Sequence, residues 1–444
     1  MKLTVKKILE ITKGQLISGE ENLEIESFSK DTRTIKKGDC YVGIKGENFD
    51  GNRFWNDAKE KGACACLLDS FEGELKESVP FTIILVSDTI KAIQALAHYV
   101  RIESHAKVVA ITGSAGKTST KDMIASVLKE KYKVLKTPGN LNGQIGLPLN
   151  ILSYKDEPVW VLEMGMNDFG QLKELSTIAS PDVAVITNIG TAHIGILGSR
   201  ENILKAKLEI LEGMNDTGTL ILNGDNDLLK TVKTNLKQIT FGLETTNDFV
   251  ATDIKMTSEN TICKIENHEI KIPVMGEVFV YNALAAYTVG KLFSLTPEEI
   301  KQGIESFQMS NNRMNTIKTT KYTIINDTYN ANPDSMKSAI KTLATLKGRK
   351  VAILGDMLEL GEKEIEYHQE IGEFCNGKID VLIAIGSLSK NIFDKFTKEK
   401  YYFKANEEAE KNLNNILKED DTILIKASHS MKLEEIVTYL QKNS

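Results

Sequence analysis

Lys107–Lys121, KVVAITGSAGKTSTK, is the stretch on which the reading of the fold turns. An apolar run ends at Thr112, the turn Gly113-Ser114-Ala115-Gly116 follows, and Lys117, Thr118 and Ser119 open a helical pattern. The order is strand, phosphate loop, helix. The glycines permit a tight turn and bring bare N–H groups close to an anion, Lys117 supplies a mobile positive charge, and Thr118 offers a hydroxyl to a magnesium ion. Together these features suit a nucleoside triphosphate. The general motif G-x-x-x-x-G-K-[ST] is not fully met, because Ile111 stands where its first glycine would be; a shorter TGxxGKT form is present.

Outward from this loop, the chain has 444 residues, enough for two or three domains with real cores. Charges of both signs are mixed and the net charge is -6, which argues against nucleic acid as the main partner while leaving room for a local phosphate pocket. The five cysteines, at 40, 64, 66, 263 and 375, follow neither zinc nor thioredoxin spacing, so reduced structural thiols are expected. The N-terminal lysines are interleaved with apolar residues, and no run reaches transmembrane length. A soluble, cytoplasmic protein without membrane insertion is expected.

Before the loop, Cys40 to Ile44 reads as a period-2 strand between turn signals at Lys37-Gly38-Asp39 and Gly46-Glu47-Asn48. Asp31, Thr32, Arg33, Lys45 and Asn48 would gather near the strand ends as a polar pocket, although solvated loops are the plainer reading. Asp88 to Ile102 has helical apolar spacing and leads to a domain boundary near Ser104.

After the loop, the phosphate-loop helix runs on through Asp122 to Lys131 and breaks at Thr137-Pro138-Gly139. Buried-type strands at Val159–Leu162 and Asp182–Thr187, separated by a helix, imply a mostly parallel sheet with ligands at the strand carboxyl ends. Glu163 ends the first of them, where a carboxylate could hold magnesium against the nucleotide phosphates; a helix-capping acid is the alternative. His193 lies just beyond the second and, by residue type alone, is a structural histidine. In the helix Ser199–Glu212, Lys207 falls within the apolar stripe Ile203, Leu204, Leu208 and Leu211, whereas Lys205 points away. A lysine on a burying face can lose its proton and form a carbamate with carbon dioxide; a snorkelling stem is the blander possibility.

In the C-terminal third, Asn311-Asn312-Arg313 reads as a hinge, and the strand Tyr322–Asn326 places Asp327 where Rossmann-like folds often bind ribose. Strands at Val351–Leu354, Val381–Ile385 and Thr422–Ile425 alternate with helices, which implies a second α/β sheet.

With these pieces in place, nearly the whole chain resembles the Mur ligases. The resemblance rests on TGSAGKTS (112–119), GNLNGQIGLPLNIL (139–152), EMGMN (163–167), NIGTAHIGILGSRENILKAK (188–207), YNALAA (281–286), NDTYNANPDSM (326–336) and GDMLELG (355–361). The last two are the more specific for the branch that adds D-alanyl-D-alanine to UDP-N-acetylmuramoyl-tripeptide. The resemblance implies three α/β domains: residues 1–104 bind the uridine nucleotide, 105–312 form the ATP-binding sheet, and 313–444 form a Rossmann-like domain. It implies ATP, two magnesium ions and a carbamate on Lys207.

Residue by residue, the resemblance gives Thr118, Glu163, His193 and the Lys207 carbamate to the metal ions, and Lys117, His193 and Lys207 to catalysis. ATP would contact Gly113 to Ser119, Asn282, Arg313 and Asp327. The UDP-linked substrate and the dipeptide would meet Asp31, Thr32, Arg33, Lys45, Gly46, Asn48, Asn140, Asn142, Tyr329, Asn330, Asn332, Asp356 and Glu359. A monomer closing about hinges near Ser104 and Asn312 is expected. Four positions depart from the family pattern: Thr32 replaces a serine, Gln144 an acid, Val278 a histidine and His429 an arginine. Two other readings stay open, an amino-acid-adding Mur enzyme or folate polyglutamate ligase, and a non-catalytic nucleotide-dependent module.

Overall fold

The computed structural model describes residues 1–72, 81–257, 259–309 and 312–443. Asn311 of the expected hinge lies outside the described residues. Three larger sheets organise the chain, of five, nine and six strands, with a two-stranded ribbon, Leu3–Thr4 with Glu24–Ile25, beside the first.

The nine-stranded sheet is built around the Lys107–Thr112 strand. Its parallel part runs, in spatial order, Val134–Lys136, Val159–Glu163, Lys107–Thr112, Val183–Ile186, Thr219–Asn223, Lys237–Gly242 and Phe249–Met256. The strands Thr261–Ile265 and His268–Ile272 extend it antiparallel. The Lys107–Thr112 strand and its two neighbours are mostly Val, Ile, Leu and Ala and are buried along nearly their whole length, as parallel strands covered on both faces must be. Register pairs Glu163 with Ile111 and Ile186 with Thr112, so both neighbours deliver their following residues beside the phosphate loop. The sequence order reverses there, the place where open α/β sheets leave a crevice.

In the first unit, the strand Asp39–Val42 is buried at all four positions rather than alternating. It lies inside its sheet, parallel to Ser27–Ser29 on one side and Ala65–Leu68 on the other, so both its faces are covered. Helix Thr89–Ser104 begins at an Asp88 N-cap and packs on helices Gly146–Ile151 and Gln171–Ala179 of the central unit. Arg101, nearly buried, donates from Nε to Ala179 O at 2.7 Å and from Nη2 to Ser180 O at 2.8 Å, and also pairs with Asp182. A pivot at Ser104 would have to break these bonds.

The six-stranded sheet runs Asn315–Lys318, Tyr322–Asn326, Asp421–Lys426, Lys350–Gly355, Val381–Ile385 and Glu399–Phe403, parallel except for its first pair. The helix expected over Ser199–Glu212 is α-helical over Arg200–Leu208 and tightens to a 3-10 turn over Glu209–Gly213. All five cysteines are free. No helix among the described residues is long and apolar enough to cross a membrane.

Candidate active site

A cleft of about 1170 Å³ opens between the central and C-terminal sheets. One wall is the phosphate loop. Gly113 has φ +154°, and a Cβ there would stand 1.9 Å from Thr187 Oγ1; Gly116 has φ +78°. Only glycine fits the first position, and the left-handed conformation favours it at the second. The loop is held from the neighbouring strand: Ser114 N donates to Asn188 O at 3.1 Å, Ala115 N to Asn188 Oδ1 at 2.8 Å, and Thr187 Oγ1 to Ala115 O at 2.7 Å. The N–H groups that start helix Lys117–Lys129 carry its positive dipole end toward the cleft. Lys117 folds back onto the loop, donating to Gly113 O at 2.8 Å. Burial lowers its pKa, and Arg313 adds to that while Glu163 opposes it.

Glu163 is 2% exposed. Its Oε1 accepts from Asn142 Nδ2 at 2.7 Å, whereas its Oε2 is buried without a hydrogen bond. Lys121 Nζ stands 3.8 Å from it, too far for a hydrogen bond, so the buried oxygen can still take a cation. Thr118 also lines the cleft, so a hydroxyl and a carboxylate, both hard oxygen donors, face the same space. No group of three or more His, Cys, Asp or Glu side chains among the described residues is placed to hold a metal by itself. The donor set therefore fits a magnesium ion that draws its other ligands from phosphates and water.

His193 sits in the left-handed region, φ +63°, at the start of the short helix Ile194–Leu197. Its Nδ1 lies 2.9 Å from Glu359 Oε2 of the C-terminal unit, out of line for a hydrogen bond. Burial and then Lys117 lower its pKa, while Glu359 raises it. Lys207 is 1% exposed, and its amine makes no hydrogen bond or ion pair. Burial pushes its pKa well down and the Lys117 charge adds to that, so this amine gives up its proton more readily than a free lysine. The buried face of its helix is Ile203, Ala206 and Lys207, with Leu204 and Leu208 half-buried.

On the opposite wall, the Arg313 guanidinium lies 3.6 Å above the Tyr329 ring, a cation–π contact, and the exposed His429 ring is 5.8 Å from the same tyrosine. Asp327 Oδ2 pairs with Lys426 at 2.6 Å, and Lys426 also donates to Asn330 O at 2.8 Å. Asn282 accepts from Thr120 Oγ1 at 2.9 Å through Oδ1 and keeps a buried Nδ2 without a partner. Asn140, Asn142, Tyr329, Asn330 and Asn332 all line the cleft. Thr191 donates from both N and Oγ1 to Asp334 Oδ2, at 2.8 and 3.0 Å, and so joins the two walls.

Other expected residues are not brought here. Asp356 is 5% exposed and turned into its own sheet, where Oδ1 accepts from Ser389 N at 2.7 Å; this carboxylate holds a turn rather than lining the cleft. Glu359 reaches His193 but is not part of the cleft wall, and neither Gly113 nor Lys207 touches the cavity. In the first unit, Arg33 forms a forked pair with Asp31 and holds its carboxyl down to about 2. Thr32 is half-buried, and Lys45, Gly46 and Asn48 are exposed. None of these six lines the cleft.

Family models match along most of the chain: the Mur ligase family catalytic domain over residues 24–132, the Mur ligase middle domain over 111–290, and the Mur ligase glutamate ligase domain over 312–429. The UDP-N-acetylmuramoyl-tripeptide–D-alanyl-D-alanine ligase of Bacillus subtilis is 41% identical, over 98% of each chain. The chain belongs to the Mur ligase family. The enzyme of the same name from Escherichia coli is 32% identical to this Mur ligase, over 99% of each chain. Among solved structures, MurF from Acinetobacter baumannii superposes with a TM-score of 0.92 at 29% identity, covering 100% of this chain and 99% of the other. MurF from Thermotoga maritima in complex with ADP gives 0.84 at 31% identity, covering 94% and 97%.

Sequence reasoning missed several side chains that shape the site of this Mur ligase. Asn188 and Asp334 lie inside two of the family-like motifs, and residue type alone gives neither a role. Lys426 closes a strand of buried residues, a signal that a buried cation needs a carboxylate. Lys121 lies on the phosphate-loop helix and is fully buried, which no apolar spacing announces.

Proposed function

We propose that this chain is an ATP-dependent ligase that joins D-alanyl-D-alanine to UDP-N-acetylmuramoyl-tripeptide, forming ADP and phosphate, in the making of cell-wall precursors. The observation that carries the reading is the end-to-end match, 98% of each chain at 41% identity, to a ligase named for that reaction. The T. maritima structure holding ADP supports ATP as the phosphoryl donor. Glu163 Oε2, buried without a hydrogen bond, and Lys207, 1% exposed, support the same chemistry.

In this reading, the tripeptide's terminal carboxylate attacks the γ-phosphorus of ATP; ADP leaves and an acyl phosphate remains. The amine of the dipeptide, having lost its proton, attacks the acyl carbon, and phosphate departs from the tetrahedral intermediate. The phosphate-loop N–H groups and Lys117 hold the nucleotide, and Arg313 faces it from the C-terminal wall. Asn282 offers its unpaired Nδ2 to the adenine side. Thr118 and Glu163 would hold one magnesium ion, and His193 with a carbamate on Lys207 a second; when bound, magnesium neutralises charge on the phosphoryl oxygens. Carbamylation turns a buried amine beside Lys117 into an anion, which attracts the Lys117 charge and supplies oxygen donors that magnesium prefers. Residues 1–104, with Asp31, Thr32, Arg33, Lys45, Gly46 and Asn48, hold the uridine nucleotide, 105–312 the ATP, and 313–444 the dipeptide with Glu359 nearby. The enzyme acts in the cytoplasm as a monomer.

The test is phosphate release with a matrix of UDP-N-acetylmuramoyl-peptides and amino acceptors. Turnover that requires the tripeptide substrate, ATP and D-alanyl-D-alanine together supports the reading. Turnover with a single amino acid, and none with the dipeptide, would move the chain to an amino-acid-adding branch.

A further inference from the structure

Lys121 is 1% exposed, one of the largest fully buried side chains of the protein, and it does not line the cleft. An ammonium removed from water needs compensation from every direction. Its Nζ donates to Thr137 O at 2.8 Å and stands 3.4 Å from Asp122 Oδ1 and 3.8 Å from Glu163 Oε2. Asp122 is already engaged by Lys136 at 2.8 Å. Lys121 thus stands between two carboxylates, Asp122 and Glu163; at 3.8 Å it is too far to hydrogen-bond Oε2, so that oxygen of the cleft-lining Glu163 has no hydrogen-bond partner.

Thr137 ties the two residues together a second time. Its Oγ1 accepts from Glu163 N at 2.9 Å, and its own N–H donates to Val161 O at 3.1 Å. From Thr137 the chain turns through Pro138 and Gly139 to Asn142, whose Nδ2 holds Glu163 Oε1 and whose carbonyl accepts from Gly165 N at 2.9 Å. Lys121 therefore anchors the origin of the loop that fixes one carboxylate oxygen and lies behind the other.

We infer that Lys121 is a positioning residue for the nucleotide-bound metal: it holds Thr137 and the carboxylate of Glu163 so that Oε2 faces the cleft. The inference rests on reading Glu163 as a magnesium-facing carboxylate. Two effects of Lys121 oppose each other. As a bare charge near Oε2 it would repel a divalent ion, and its removal would tighten metal binding. As an anchor it presents the ligand, and its removal weakens metal binding; the two bonded routes to Glu163 make anchoring the larger effect.

The test measures Mn²⁺ binding in the presence of saturating ADP, by the loss of free Mn²⁺ spin-resonance signal, for the parent, Lys121→Met, Glu163→Gln and the double variant. Lys121→Met should weaken Mn²⁺ about 10–100-fold, the range for a lost group behind a metal ligand, while leaving metal-free ADP binding unchanged. In the Glu163→Gln background the same change should add little, because the route it acts through is gone. Thr137→Val, which keeps the lysine and removes the hydroxyl under Glu163 N, should weaken Mn²⁺ in the same sense and serves if Lys121→Met does not fold. Unchanged or tighter Mn²⁺ binding in the folded variants, or additive effects in the double variant, would overturn the inference. Should Glu163→Gln alone leave Mn²⁺ binding intact, it is the metal reading of Glu163 that fails.

Discussion

Replacing Lys207 by methionine keeps the volume of the stem and removes its titrating group. In the folded chain this amine is 1% exposed, has no partner and feels Lys117, so its pKa lies well below the ordinary 10.5. In the unfolded chain it titrates near ~10.4. Between those two values the unfolded chain binds a proton that the folded chain does not, so stability rises with pH by about 1.4 kcal/mol per unit. Lys207 accordingly costs the native state stability at neutral pH. That cost is greatest below the folded pKa and is gone once the pH passes ~10.4. In metal-free buffer purged of carbon dioxide, Lys207→Met should be more stable than the parent at neutral pH, and the gap should close at about 1.4 kcal/mol per pH unit on the alkaline side.

Bicarbonate should then rescue the parent alone. A carbamate formed at a hundredfold excess over its dissociation constant stabilises by about 2.7 kcal/mol, and a domain of this size shifts by about 2–4 °C per kcal/mol. Thermal unfolding of both proteins across pH, with and without bicarbonate, reads both effects. A parent more stable than Lys207→Met throughout, with a flat pH dependence and no bicarbonate response, would refute the picture of a buried, neutral, carbamate-forming amine.

Four shorter predictions use other parts of the structure. Lys207→Ala should abolish ligation, with partial recovery on adding short carboxylates, and near-parent activity would remove the carbamate from the site. Lys117→Ala should eliminate phosphoryl transfer yet leave uridine nucleotide binding intact by calorimetry; joint loss of both would mean that the two nucleotides share one site. Gly195→Ala places a Cβ 2.5 Å from the Gly361 backbone nitrogen, so the His193 loop must part from the C-terminal unit, and ligation should fall with little change in ATP affinity. Arg101→Ala leaves Ala179 O, Ser180 O and part of Asp182 without their donor, and should destabilise the protein by about 3 kcal/mol in urea unfolding.

Much of this site can be read from residue types and spacing because the phosphate loop is a local device. Gly113, Gly116, Lys117 and Thr118 act within a few residues of one another, and the flanking apolar runs announce buried parallel strands. The burial of Lys207 was legible for the same reason: helical periodicity turns a local pattern into a face. Asp356 was placed by its motif but not by its direction, since whether a strand-end carboxylate faces a cleft or caps a turn depends on Ser389, 33 positions away in the chain.

By itself, then, the sequence determined the nucleotide loop, the alternation of strands and helices, an acid at a strand end and a lysine on a burying helix face. Tertiary structure alone decided that Glu163 keeps one oxygen free, that His193 meets Glu359 across two units, that Arg101 binds helix Thr89–Ser104 to the central sheet, and that Lys121 stands behind Glu163. The physical reason is that these facts belong to pairs far apart along the chain. Residue type and spacing set what each group can do, and only the packing of one sheet against its neighbours sets which groups are left without a partner.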